Sequence, residues 1–133
     1  MKYIRPYKKL EVYAAGKELV LHVYELLKKF PREETYALCD QLRRAVISVP
    51  SNIAEGSGRN SQKDQAHFYN IAYGSLMEVF SQLDIACNLG YISQEEFEQL
   101  ELVVNEEAKM LSGLIAKRKQ PIAQPPVAPR PLN

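Results

Sequence analysis

Histidine, cysteine and tryptophan are scarce in this sequence, which contains two, two and none of them, respectively. His22 falls on the polar side of a helical pattern and is expected to be solvated. His67 follows Asp64 by three residues, but a di-iron bundle repeats Glu-x-x-His on two helices, so neither a metal nor another cofactor is predicted. Cys39 and Cys87 each lie in an apolar pattern and are interpreted as reduced core residues rather than as a disulfide.

The sequence also lacks the short motifs that position reactive groups. It has no Gly-rich phosphate loop, nucleophile elbow, paired-cysteine motif or HExxH zinc site, so we expect a protein that is not an enzyme. No apolar run approaches the ~18 residues of a membrane span. The first six residues, MKYIRP, lack the apolar stretch of a signal peptide. These absences predict a cytoplasmic protein without a membrane partner.

Charge of one sign does not dominate the chain. The net charge is +1, which excludes an overall field that would attract nucleic acid or anionic lipid. The distribution is nevertheless uneven, because residues 1–30 carry seven Lys/Arg against three Glu, whereas residues 93–120 carry four against six. Two solvated helix faces explain this asymmetry, and contact between one part of a subunit and another is the alternative.

Glycine and proline are few, and long helical patterns fill the intervals between them. Strand-like alternation and Asn-Gly or Asp-Gly hairpin signals are missing. The spacing predicts helices over about residues 7–29, 33–55, 61–89 and 93–119. Four long helices with short loops pack best in an antiparallel up-down-up-down arrangement. The predicted fold is therefore an all-α four-helix bundle over residues 1–120.

Proline returns in quantity only at the end of the chain. Five of the eight prolines lie in residues 121–133. We predict that this Pro-rich tail is flexible and disordered, and docking on a partner as an extended peptide is the alternative.

Local signals suggest where the helices begin and end. Glu33 and Glu34 are expected in the first turn of the second helix, where the helix dipole favours negative charge. The segment Gly56-Ser57-Gly58 is typical of a helix C-terminus. Ser61 begins a cap-like Ser-Gln-Lys-Asp sequence, and Ser93 begins a full capping box, Ser-Gln-Glu-Glu.

The apolar faces indicate which sides of the helices are buried. On the first helix the apolar residues cover about half the circumference, wider than the ~100° stripe of a simple surface helix, so we expect two burial partners, its own bundle and a second subunit. On the third helix we expect an inward stripe with Ile71 and Leu76 beside it. The residues of the stripe are Phe68, Ala72, Ser75, Val79, Leu83 and Ala86.

Two polar clusters interrupt the apolar patterns. The first surrounds Pro50, which lacks the N–H that would bond the Val46 carbonyl and is expected to kink the second helix. The second contains Gly74 and Ser75, which permit close approach of helices, and a glutamate that would need a cationic or hydrogen-bonded partner if buried, with Arg43 or Arg44 as the candidates. We interpret both as a structural polar network that fixes helix register or subunit contact, with a polar groove for a ligand or nucleic acid as the alternative. Its members are Ser48, Asn52, Glu55, Ser75 and Glu78.

The candidate nucleic-acid contacts are Arg43, Arg44, Arg59 and Lys63. Paired arginines suit phosphate groups. Four such cations without interleaved aromatic residues are a weak nucleic-acid footprint on a monomer, but a ring of identical subunits would repeat them.

Several of these segments, in this order and spacing, resemble a known bacterial family, that of the 23S rRNA intervening-sequence proteins. The resemblance extends from about Tyr7 to Lys119. The most specific segment is Asn-Ile-Ala-Glu-Gly following Gln-Leu-Arg-Arg. The residues that carry it are Phe30-Pro31, Tyr36, Gln41 to Ala45, Ser48 to Gly56, Ile71 to Ser75 with Glu78, and Leu89 to Tyr91.

The resemblance implies a small cytoplasmic bundle that assembles into a homopentamer and has no enzymatic activity. Some members of the family are encoded within insertions in 23S rRNA genes. A similar protein, the accessory factor of diversity-generating retroelements, works with a reverse transcriptase and binds nucleic acid. The partners to expect are therefore a second copy of the chain, RNA or DNA, and a protein such as a reverse transcriptase. The first hypothesis is a scaffold or interaction module, and the second is a nucleic-acid-binding accessory protein.

Overall fold

The computed structural model describes residues 10–119 together with Arg5 and Tyr7. The Pro-rich tail predicted over residues 121–133 lies outside these described residues. The described part forms four α-helices and a short 3-10 helix at Arg32–Glu34. The α-helices are α1 (Glu11–Leu27), α2 (Leu38–Ser57), α3 (Gln62–Asn88) and α4 (Gln94–Ala116).

The four helices form the predicted bundle. Helix α1 contacts α2 and α4, and α3 contacts the same two helices, so each helix has two neighbours around one core. Leucine, valine and alanine side chains fill that core, and the ring of Tyr69 is its largest fully buried member. In the described part of the chain, no helix combines the length and hydropathy that a membrane span requires.

The ends of α3 and α4 follow their local signals. Ser61 Oγ accepts a hydrogen bond from the Asp64 amide at 3.1 Å. Gly90 follows α3 with φ of +82°, a left-handed conformation that glycine adopts without strain. The capping box is complete at α4, because Ser93 Oγ accepts from the Glu96 amide at 3.0 Å and Glu96 Oε1 accepts from the Ser93 amide at 2.9 Å.

The start of α2 differs from the prediction, whereas its end falls within the predicted segment. Glu33 and Glu34 lie in the separate 3-10 helix, and α2 begins only at Leu38. At its other end α2 ends at Ser57 with Gly58 as its C-cap, so Gly56 itself lies inside the helix. Gly56 is buried, and a Cβ there would lie 2.8 Å from Cε1 of Tyr69. Gly56 therefore allows α2 to approach α3 closely, which a pattern read along one helix does not reveal.

The inward face of α3 is rotated from the predicted stripe. Tyr69 and Leu76 are fully buried, whereas Phe68 and Ser75 are only half-buried. Ile71, expected beside the stripe, is 39% exposed. The rotation occurs because Tyr69 fills the space above Gly56 at the start of the helix.

Candidate functional site

The predicted basic residues of α2 lie beside an acidic neighbour. Arg43 Nη2 donates to the carbonyl oxygen of Thr35 at 2.8 Å and lies 3.9 Å from Asp40. Arg44 lies 3.4 Å from the other oxygen of the Asp40 carboxylate, and its side chain is 81% exposed. One carboxylate thus faces both cations, and Arg44 is the one that projects into solvent.

The other two predicted cations lie at the opposite end of α2. Arg59 pairs with Glu55, and its guanidinium lies 4.6 Å from the centroid of the Phe68 ring. Lys63 is exposed in the first turn of α3. Helix α2 runs for thirteen residues from Arg44 to Ser57, roughly 20 Å at ~1.5 Å per residue, before the chain reaches Arg59. The four residues therefore form two groups rather than one patch.

A third cation, missed in the sequence, is connected to Arg59 at the same end of the bundle. Arg118 Nε donates to Gln65 Oε1 at 3.0 Å, and Gln65 Nε2 donates to the Arg59 carbonyl oxygen at 2.9 Å. The Arg118 guanidinium also lies 5.1 Å from the centroid of the Tyr69 ring. This connection brings the end of α4 against the junction of α2 and α3. We call Arg59, Lys63 and Arg118 the basic end of the bundle.

Three of the five predicted network residues meet between α2 and α3. The hydroxyls of Ser48 and Ser75 lie 2.8 Å apart. Asn52 Nδ2 donates to the carbonyl oxygen and to the hydroxyl of Ser48, both at 2.8 Å. Pro50 lies within this stretch, and α2 continues as an α-helix on both sides of it. The polar residues thus bond to backbone and to the neighbouring helix where the proline removes a donor.

The other two residues of the predicted network lie elsewhere. Glu55 is exposed and pairs with Arg59. Glu78 is also exposed and accepts a hydrogen bond of 3.1 Å from Gln82, whose amide nitrogen lies 3.2 Å from Gln41 Oε1. The condition for a partnership of Glu78 with Arg43 or Arg44 is not met, because Glu78 is exposed and both arginines lie beside Asp40.

The most unusual polar side chain is Glu107 of α4, which was not among the residues predicted from the sequence. Its side chain is completely buried, and neither carboxyl oxygen has a hydrogen-bond partner. A Cβ placed on Gly16 of α1 would lie 2.8 Å from Glu107 Oε2 and 3.4 Å from Cβ of Pro50. The carboxyl group thus lies against Gly16 of α1, at the point where α1 meets Pro50 of α2.

Burial raises the pKa of Glu107 to about 8. The carboxyl group is therefore mostly protonated at neutral pH, which removes the large free-energy cost of burying a charge. A sequence signal existed, because Glu107 falls midway between the buried Val104 and Leu111 at three- and four-residue steps. Beside Glu106, however, it resembled one of two solvated acids.

An apolar groove runs along the outer side of the α1–α2 contact and has a volume of about 650 Å³. We call it the α1–α2 groove. Leu21 is 60% exposed and Ile47 is 43% exposed along it. A second hollow of about 460 Å³ continues from Ile47 to Tyr24 and the Arg43–Arg44 pair. The groove is lined by Tyr13, Lys17, Glu18, Val20, Leu21, Ile47, Pro50, Ser51 and Ala54.

Metal-ligating residues do not cluster in the part of the chain that the structure describes. Within it, no group of three or more His, Cys, Asp or Glu side chains is placed to hold an ion. The ring of His67 instead lies edge-on to the Phe68 ring, with centroids 5.2 Å apart. Cys39 is buried and Cys87 half-buried, and both are free thiols.

Two comparisons with known proteins agree with this fold. The family model described as 23S rRNA-intervening sequence protein matches residues 8–113. A crystal structure of a protein of unknown function from the S23 ribosomal protein family of Bacteroides thetaiotaomicron VPI-5482 superimposes with a TM-score of 0.72 at 25% identity. The match covers 78% of this chain and 97% of that one. No curated protein matches the chain.

Proposed function

This chain belongs to the 23S rRNA-intervening sequence protein family, and from that premise we propose that it acts without catalysis, as a self-associating scaffold or interaction module. The α1–α2 groove is the surface that receives a second copy of the chain. A ring of five subunits is the assembly that the resemblance implies, and it is part of this proposal.

The observation that carries the proposal is the exposed apolar wall of the groove. Tyr13 and Val20 are half-buried, and Leu21, Tyr24 and Ile47 are exposed, although α1 already buries another face in its own bundle. Apolar surface that is contiguous in this way, rimmed by charged residues, is typical of a protein–protein interface. The rim carries Lys17 next to Glu18, so a second copy can offer the opposite charge to each.

A ring needs a head-to-tail contact, in which the groove meets a different face of the next subunit. Exposed apolar residues on the other side of the bundle could supply that face. Ile85 of α3 is 49% exposed, and Leu102 of α4 is 71% exposed.

A double substitution in the groove tests self-association. We expect Leu21→Glu/Ile47→Glu to weaken it roughly hundredfold or more, because two charges would be buried in the contact. Light scattering coupled to gel filtration at micromolar concentration should show a multiple of the 15.2 kDa chain mass for the native sequence and one chain mass for the variant.

The control for this test is Tyr36→Glu, which changes a side chain that is 92% exposed and does not line the groove. It should leave the mass unchanged, and circular dichroism should show native helicity in both variants. A native protein that is strictly monomeric at micromolar concentration would overturn the proposal.

Nucleic-acid binding is the second candidate function, and the basic end of the bundle favours it. Arg59 in the connection between α2 and α3, Lys63 in the first turn of α3 and Arg118 just after α4 lie at this end, and Lys117 and Lys119 flank Arg118 in the sequence. Clustered cations of this kind suit a phosphate backbone, and an oligomer would repeat them.

Fluorescence anisotropy with labelled RNA and duplex DNA tests this second function. Arg59→Gln/Lys63→Gln should lower the slope of log K against log salt concentration by about two, because two phosphate contacts are lost. The matched variant Arg43→Gln/Arg44→Gln should change the slope less, since these arginines lie at the other end of α2 and Arg43 is bound to the carbonyl oxygen of Thr35. Absence of binding at low salt would exclude the function.

A further inference from the structure

Glu107 is unusual because no hydrogen bond in the described core explains why a carboxyl group lies there. It is one of two buried polar or charged side chains in the described residues, and both of its carboxyl oxygens lack a partner. Buried polar groups in proteins are almost always hydrogen-bonded, so an orphaned one calls for an explanation. The stability of the fold does not explain the glutamate, because an apolar side chain of the same shape would stabilise the core more.

The contacts of Glu107 place it directly behind the α1–α2 groove. Gly16 lies against its carboxyl group, and Tyr13, Lys17 and Val20 on the same stretch of α1 form one wall of the groove. Pro50 lies beside the same point on α2 and is itself a lining residue of the groove. The groove and the buried carboxyl group thus lie on opposite sides of one helix contact.

Charged neighbours do not compensate a charge at this point. On α1, the Lys17 ammonium lies 5.1 Å from the Tyr13 ring centroid. On α2, the nearest acid beyond Pro50 is Glu55, which is exposed and pairs with Arg59.

Side chains of α3 and α4 do not supply a compensating charge either. On α3, Tyr69 is buried beside Arg118, and Tyr73 is half-buried. On α4 itself, the residues one turn to either side are Val103, Val104, Met110 and Leu111. The cause of the raised pKa of Glu107 is burial.

We propose that the proton on Glu107 keeps α1 seated against α2, and that losing this proton opens the contact and releases the second copy from the α1–α2 groove. A carboxylate at this position must be hydrated, and Gly16 leaves no space for water while α1 is seated. Admitting water moves α1 at Gly16 away from α4 and also away from Pro50, so the two helices that form the walls of the groove separate. Assembly is thereby coupled to proton binding. The inference rests on the proposed self-association, and it identifies how that association is regulated.

Light scattering across pH tests the inference, with Glu107→Gln as the variant that cannot lose a proton. The dissociation constant of the native protein should rise at least tenfold between pH 7 and pH 9, because each proton linked to assembly changes it by up to tenfold per pH unit. That of Glu107→Gln should change less than threefold. Glu106→Gln, which alters the exposed neighbouring carboxylate, should behave as the native protein does. An equal pH dependence in the native protein and in Glu107→Gln would overturn the inference.

A second measurement separates failure of the inference from failure of the proposed function. Hydrogen exchange of the α1 amides, compared between the native protein and Glu107→Gln at the same pH, reads the helix contact directly. At pH 9 the native protein should exchange at least tenfold faster in α1, and at pH 6 the two should agree. If the protein is monomeric and this difference is present, the proposed self-association and the release of a second copy fail, whereas the proton-dependent contact of α1 stands. If α1 protection is the same in both proteins at pH 9, the inference fails whatever the oligomeric state.

Discussion

Replacing Glu107 by leucine is expected to stabilise the protein, and to do so more strongly as pH rises. Below pH ~4.5 the glutamate is protonated in the folded and unfolded states, so the native protein keeps its full stability. Between that pH and about 8, the unfolded chain loses the proton while the folded protein keeps it. The free energy of unfolding of the native protein therefore falls by up to ~1.4 kcal/mol per pH unit over this range and no further above it.

Urea unfolding at pH 5 and pH 8, followed by circular dichroism at one protein concentration, measures this effect. The free energy of unfolding of Glu107→Leu should exceed that of the native protein by roughly 1 kcal/mol at pH 5, because a buried unsatisfied hydroxyl is removed. The difference should reach roughly 3–4 kcal/mol at pH 8. Glu106→Leu is the control and should stay within about 0.5 kcal/mol of the native protein. A difference that does not grow with pH would contradict the assignment of the buried proton to Glu107.

The second large effect is expected at Gly56. A Cβ at this position would lie 2.8 Å from the Tyr69 ring and 3.0 Å from the Cβ of Phe68, and the Tyr69 ring has no exposed surface into which it could move. Gly56→Ala should therefore destabilise the protein by about 1–3 kcal/mol, since overpacking exceeds the gain in helix propensity.

Gly58 offers a matched control two residues away. Its nearest contact would be the Glu55 carbonyl oxygen at 3.7 Å, and its φ of −91° suits any residue. Gly58→Ala should raise the free energy of unfolding by up to about 1 kcal/mol, because alanine reduces the freedom of the unfolded chain. Thermal and urea unfolding of the two variants should move in opposite directions. If Gly56→Ala were as stable as Gly58→Ala, α2 and α3 could separate without loss of stability, and the prediction would be wrong.

The sequence predicted the features that depend on a few neighbouring residues. The capping box at Ser93 was predicted correctly because its donors and acceptors lie within three residues of each other. The start of α2 was wrong because acidic residues before Leu38 favour the first turn of any helix, and the chain uses Glu33 and Glu34 in a 3-10 turn instead. The kink expected at Pro50 stays a prediction.

Features that depend on two or more helices were the ones that the sequence could not reveal. Gly56 resembled a terminator because its partner, Tyr69, lies on another helix. Arg118 is placed at the basic end by its hydrogen bond to Gln65 of α3, and no spacing within one helix predicts that contact. Glu107 was overlooked because its burial comes from Gly16, ninety-one residues earlier in the chain.

The order in which the helices meet also has a consequence for folding kinetics. In the described part of the chain, three of the four contacts between α-helices join consecutive helices, and only the contact of α1 with α4 brings together distant parts of the sequence. Contacts between consecutive helices close short loops and form early, whereas the α1–α4 contact must close nearly the whole chain. We therefore expect φ-values near zero at Glu107 and Gly16. Ionisation of the carboxyl group should then accelerate unfolding and leave the folding rate nearly unchanged.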